Sequence, residues 1–167
     1  MADELTIESL RAAIRGEGEP TGDPDEVRFE RLGRRFEGAV AALAERIREM
    51  IDQIPELDLR LEDEIEVFTS PAFPGRELRI RDQRVRIVRG DDMILFDPTA
   101  KALLSALGQV EVQATRPLPF MIEKVLYLIP DRGGRTARWG YRAAEDPAGL
   151  TPFTRSVLLR MLQAVFT

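Results

Sequence analysis

Carboxylates and arginines are the side chains here with the means to build a site. Acidic runs occur at Glu62-Asp63-Glu64 and Asp91-Asp92. Arginines alternate with aliphatics through Leu78-Arg79-Ile80-Arg81-Asp82-Gln83-Arg84-Val85-Arg86-Ile87. Histidine and cysteine are absent from the 167 residues. That removes imidazole bases, thiolate nucleophiles, disulfides and Cys/His zinc sites, and with them any Ser-His-Asp or Cys-His site. Gly133-Gly134 lacks the strand-loop-helix setting and the lysine of a phosphate loop. Adjacent strand residues point to opposite faces, so neither acidic run converges locally on one metal. No catalytic residue, metal or cofactor is expected, and the chain reads as a non-enzyme. A carboxylate-dependent enzyme ranks third among the functional readings.

The arginine segment reads as a hairpin. A two-residue turn at Asp82-Gln83 would pair Arg81 with Arg84 and Arg79 with Arg86. All four arginines then share a face, and like charges directly opposite destabilise a sheet. An anion is one remedy: nucleic-acid phosphate, or an acidic protein segment. A salt-bridge ladder to Glu62, Glu64 and Glu66 of the preceding strand is the plainer remedy. Masking by the acidic N-terminal segment is a third. A second basic group, Arg132, Arg135, Arg138 and Arg142, interleaves with Trp139 and Tyr141. That pattern suits single-stranded nucleic acid, but Trp and Tyr at period two more often belong to a core. Phe73, in a Pro-rich loop, could be shown to a partner or tucked back.

The elements that must position these residues follow from periodicity. Apolar residues at Phe29, Leu32, Phe36, Val40, Leu43, Ile47, Met50 and Ile54 recur at spacings of three and four. They predict a helix over 25–54, capped by Asp23 or Asp25 and stopped by Pro55. At 1.5 Å per residue it runs roughly 45 Å. A typical strand of ~5–6 residues covers less than half of that. The seam should therefore overhang its sheet and meet another chain. After Pro55 the period becomes two. Strands are expected at 64–69, 77–81, 84–89 and 92–96. A helix over 99–107 would start at Asp97-Pro98. Strands at 109–115, 120–129 and 135–142 follow, then a helix opened by Thr151-Pro152. The class is α+β: an antiparallel sheet of five to seven strands packed by a long N-terminal helix, a middle helix and a C-terminal helix. From Asp25 onward the order of elements is similar to that of type III secretion chaperones: helix, three strands, helix, further strands, final helix. No motif accompanies that similarity, and it implies no function here.

The net charge of −5 is uneven. Residues 1–26 hold eight acids and two arginines, so the remainder is close to neutral. Residues 1–24 read as a short acidic helix over 5–15 plus a Gly/Pro linker, and 25–167 as one α+β domain. No apolar run approaches the ~18 residues of a membrane span, and a soluble cytoplasmic protein is the expectation. The leading functional reading is a protein-interaction module or homodimer. It acts through the helix residues Phe29, Leu32, Phe36, Val40, Leu43 and Ile47 and a sheet face. The alternative is an anion or nucleic-acid binder using Arg79, Arg81, Arg84 and Arg86.

Overall fold

The computed structural model describes residues 23–103, 105–133 and 135–167. The short helix expected over 5–15, and the linker after it, lie outside the described residues. Helix α1 spans Pro24–Ile51. Asp23 caps it by accepting the Asp25 N–H, and Asp25 and Glu26 place negative charge at its N-terminus, where the helix dipole favours it. Seven strands follow: β1 (Asp58–Phe68), β2 (Leu78–Arg89), β3 (Asp92–Thr99), β4 (Gly108–Ala114), β5 (Val125–Pro130), β6 (Ala137–Ala143) and β7 (Asp146–Pro152). Helix α2 (Arg155–Phe166) ends the chain, with the Thr154 hydroxyl accepting the Val157 N–H.

The strands form one antiparallel sheet in sequence order, a meander. Register aligns Val85 with Phe96 and Phe96 with Val112, Val110 with Leu126, and Leu128 with Trp139. This row and the apolar residues of both helices make a single core. The α+β class and an antiparallel sheet within the expected strand number are therefore present. Among the described residues the helices number two, not three.

The helix expected over 99–107 is not formed. Its start signal, Asp97-Pro98, lies inside β3. Asp97 gives its carboxylate to the Arg84 guanidinium instead of capping a helix. The chain beyond is held extended against the end of β1. Thr69 donates its N–H to the Ala100 carbonyl, and Ala102 donates to the Thr69 carbonyl. The similarity of element order to type III secretion chaperones rested on that helix and goes with it.

The turn at Asp82-Gln83 is also absent, because β2 runs straight through it. A two-residue hairpin turn wants a residue tolerant of positive φ at its first central position. Asp82-Gln83 has no glycine. Gly90, at φ +59°, supplies it eight residues later and closes the β2–β3 hairpin. At the other end, 146–152 pairs as β7 where a loop and a helix start were expected. Its two prolines suit an edge strand.

Two glycines set how closely α1 approaches the sheet. A Cβ on Gly33 would sit 2.5 Å from Leu78 Cδ2 and 3.1 Å from Phe68 Cδ1. A Cβ on Gly108 would sit 2.2 Å from Phe36 Cδ2, a ring that is fully buried and touches Phe68 and Trp139. Gly38, on the exposed side of α1, would meet nothing within 4 Å. Chemical denaturation should therefore show Gly108→Ala destabilised by ~1–3 kcal/mol through overpacking. Gly38→Ala should be stabilised by up to ~1 kcal/mol through helix propensity.

Candidate functional site: the two faces of the β1–β2 ribbon

β1 and β2 are twice the usual strand length and stay in register from Asp58↔Val88 to Phe68↔Leu78. β3 pairs only with the Val85–Arg89 part of β2. Beyond that point the two strands continue as a ribbon with no neighbour on the β2 side. Pro98 explains where the ladder stops. Met93 turns its N–H and C=O to Thr115 on the β4 side. By alternation residues 94, 96 and 98 face β2. Phe96 is the last to pair, and Pro98 has no N–H to offer.

Side chains of α1 take over the freed edge of β2. Glu37 Oε2 accepts the Arg81 N–H at 2.6 Å. Arg34 donates to the Arg79 carbonyl at 3.5 Å and holds Glu37 at 3.2 Å. Docking onto α1 changes which face of the ribbon is buried. Val85 and Ile87 are buried beside β3, but farther along the buried residues are Ile80, beside α1, and Asp82, among Glu64, Glu66 and Asp97. Two-stranded ribbons twist more than sheets, so the parity switches with no break in register.

The result inverts the hydrophobic pattern. On β1 the acids Glu62, Glu64 and Glu66 are half-buried, while Leu61, Ile65 and Val67 are exposed by 41%, 72% and 45%. The alternation Glu64-Ile65-Glu66-Val67 suggests the opposite orientation when read alone. Phe68, Leu78 and Ile80 decide it, because they share the acidic face and dock on α1.

The acidic face collects five carboxylates and two guanidinium groups. Arg84 forks onto Asp97 at 2.9 and 3.1 Å and reaches Glu64 at 3.2 Å. Its proton is held more firmly than usual, chiefly by Asp97. Arg86 lies 3.9 Å from Glu62. Glu66 accepts the Ala100 N–H at 3.3 Å. Asp82 is 1% exposed, and no N–H or hydroxyl donor among the described residues reaches either of its oxygens; it shares a proton with Glu66. Oxygens of Glu64, Glu66 and Asp82 lie within 4.8 Å of one another. Burial pushes the Asp82 carboxyl up to about 7, with further upward pressure from Glu66 and smaller amounts from Glu64 and Asp97. Burial likewise raises Glu66, although the Ala100 hydrogen bond opposes it.

The four arginines expected to share a face are split by the continuous strand. Arg84 and Arg86 form the carboxylate ladder on the acidic face. Arg79 and Arg81 are exposed on the other face, with no carboxylate partner among the described residues. They line an open groove of about 500 Å³ with Arg34, Glu37, Ala41 and Ile65. Phe29, Phe36, Val40, Leu43 and Ile47 are buried in the core, and Leu32 packs partly buried against it. The expected overhang of α1 does not arise. Strands of 11 and 12 residues at ~3.3 Å per residue nearly match a helix of 28 residues at ~1.5 Å per residue. Trp139 and Tyr141 are core residues, Arg138 and Arg142 pair with Asp131 and Glu123, and Phe73 packs against Phe29. Asp92 binds Arg116 and Thr115 beside the Gly90 turn.

Searches for similarity to protein-family models, curated proteins and solved structures find no match. No helix among the described residues is long and apolar enough to cross a membrane.

Asp82 gives the fold a defined pH response. An acid raised above its unfolded value stabilises the native state below the unfolded pKa, and that stability is lost as pH rises through the folded pKa. The charged groups acting on it are Glu66, Glu64 and Asp97, while Arg84 is engaged by Glu64 and Asp97. Unfolding free energy in EDTA buffer should fall between about pH 4 and pH 7, at no more than ~1.4 kcal/mol per pH unit for one group. Asp82→Asn should flatten most of that slope, and an unchanged slope would show that Asp82 titrates normally.

Proposed function

We propose that this chain is a non-catalytic protein-interaction module that accepts an extended partner segment along the free edge of β1. The inverted pattern of the ribbon carries this reading. Exposed large aliphatics at alternate positions of an edge strand are what strand addition uses: backbone hydrogen bonds for affinity and alternate side chains for specificity.

Backbone direction agrees. The Arg81 N–H points to α1, so the odd residues of β2 face away from β1 and the even residues pair with it. Through the register, residues 61, 63, 65 and 67 of β1 send their N–H and C=O outward. The other sheet edge is blunted. β7 carries Pro147 and Pro152, whereas β1 contains no proline. Unpaired edges are usually protected in this way.

The chemistry of the partner follows from the neighbours. Ile65 and Val67 stand across from the exposed Arg81 and Arg79. Aliphatic side chains interspersed with acids fit such a surface. The two arginines supply the anion recognition that the sequence suggests, directed at a protein segment instead of phosphate. Asp63, between Leu61 and Ile65 and bonded to Gln83, discriminates against purely apolar strands.

The test is capture of partners by the full chain, compared with Ile65→Lys and Ile65→Pro, followed by hydrogen exchange on the captured complex. Removing one buried isoleucine from such an interface corresponds to ~1.5–3 kcal/mol, or at least a tenfold weaker complex. The wild type should show new protection at the amides of 61, 63, 65 and 67, with Leu159→Lys on α2 as an unaffected control. Protection confined to other elements, or binding indifferent to both Ile65 variants, would overturn the assignment.

A further inference from the structure

From the acidic face of the ribbon we infer a hard divalent cation site built by Glu64, Glu66 and Asp82. It rests on observations separate from those behind strand addition, which concern the opposite face.

Geometry supplies the first argument. Asp82 and Glu64 are direct cross-strand partners, and Glu66 pairs with the next residue on the same face, Ile80. Three carboxylates therefore project from adjacent rungs of a rigid ladder, and their oxygens lie within 4.8 Å of one another. An ion with oxygen ligands at ~2.4 Å spans ~4.8 Å between opposite ligands. One ion can thus touch all three without moving the backbone.

Charge supplies the second. Arg84 is committed to Asp97 through two hydrogen bonds and touches Glu64 with its remaining nitrogen. Arg86 leans toward Glu62. Neither reaches Asp82 or Glu66. Ion pairs therefore account for Asp97, Glu64 and Glu62, and two carboxylates are left without a cation.

Asp82 supplies the third, and it distinguishes this cluster from an ordinary acidic surface. Its side chain is 1% exposed, aims into the cluster, and meets no N–H or hydroxyl donor of the described chain, so a proton shared with Glu66 is its one hydrogen bond. A buried carboxyl is held by a proton, a counter-charge or a metal; without an ion Asp82 keeps a proton up to about pH 7, and a bound cation would replace that proton. Glu66 retains a free oxygen because only Oε2 receives the Ala100 N–H. Carboxylate donors without histidine or cysteine select Ca²⁺, Mg²⁺ or Mn²⁺ over softer metals.

The test uses the full chain in chelator-stripped buffer at constant ionic strength, with CaCl₂, MgCl₂ or MnCl₂ as the added ion. At least one ion should raise the melting temperature by several degrees once it exceeds its dissociation constant ~100-fold. Mn²⁺ electron paramagnetic resonance should count one bound ion per chain. Asp82→Asn and Glu66→Gln are near-isosteric and keep the ladder, and each should abolish both signals. Asp63→Asn, on the opposite face of β1, should retain them. The site is refuted if no ion shifts the melting temperature and Mn²⁺ stays free, or if Asp82→Asn responds as the wild type does.

Discussion

The parting of β2 from β3 at Pro98 governs most of what is unusual in this molecule. A proline with no N–H ends the ladder after Phe96, and β2 continues alone with β1. An abandoned strand edge is unfavourable unless something pairs with it. Glu37 and Arg34 of α1 do so by binding the Arg81 N–H and the Arg79 carbonyl. Gly33 lets the ribbon lie against the helix, and the ribbon's length in turn covers the helix seam. α1 and the ribbon are thus complementary in length as well as in shape.

That docking places an acidic row partly inside and an aliphatic row outside. Both arrangements run against the preference of the side chains, and each is an imbalance that a partner would relieve. An ion suits the three carboxylates, and a partner strand suits Leu61, Ile65 and Val67. The two faces share one backbone.

Much of the fold was legible in the sequence. The spacing of Phe29, Phe36, Leu43 and Ile47 marks α1, and Asp23 is one of the two caps that the sequence offers for it. The errors share a cause. Asp97-Pro98 is a sound local helix start, but Arg84 and the end of β1 hold the segment extended. Asp82-Gln83 interrupts an apolar alternation without ending a strand, because the ribbon changes its buried face there. Asp82 itself carried no signal: one acid among many in a basic segment becomes a buried group only once the strands bring Glu64, Glu66 and Asp97 around it. The exposure of Ile65 was hidden for the same reason, since alternation alone does not say which face is inside. Predicted lengths mattered too, because a strand of ordinary size would have left α1 overhanging.

The meander has a kinetic corollary. Every strand pairs with its neighbour in sequence, and no connection between consecutive strands exceeds ten residues. Closing each loop therefore forfeits little chain entropy, and low contact order favours rapid assembly. The long-range contacts come from the two helices: α2 returns to the sheet, where Arg89 donates to the Phe166 carbonyl 77 residues away, and α1 meets the ribbon and β6. Arg81 lies 44 residues from Glu37, and Trp139 lies 100 residues from Ala39, whose carbonyl receives its indole N–H. The sheet can zip locally, while the docking of the ribbon on α1 requires the long-range closure. The surface with the greatest functional interest is then one that local strand pairing alone does not complete.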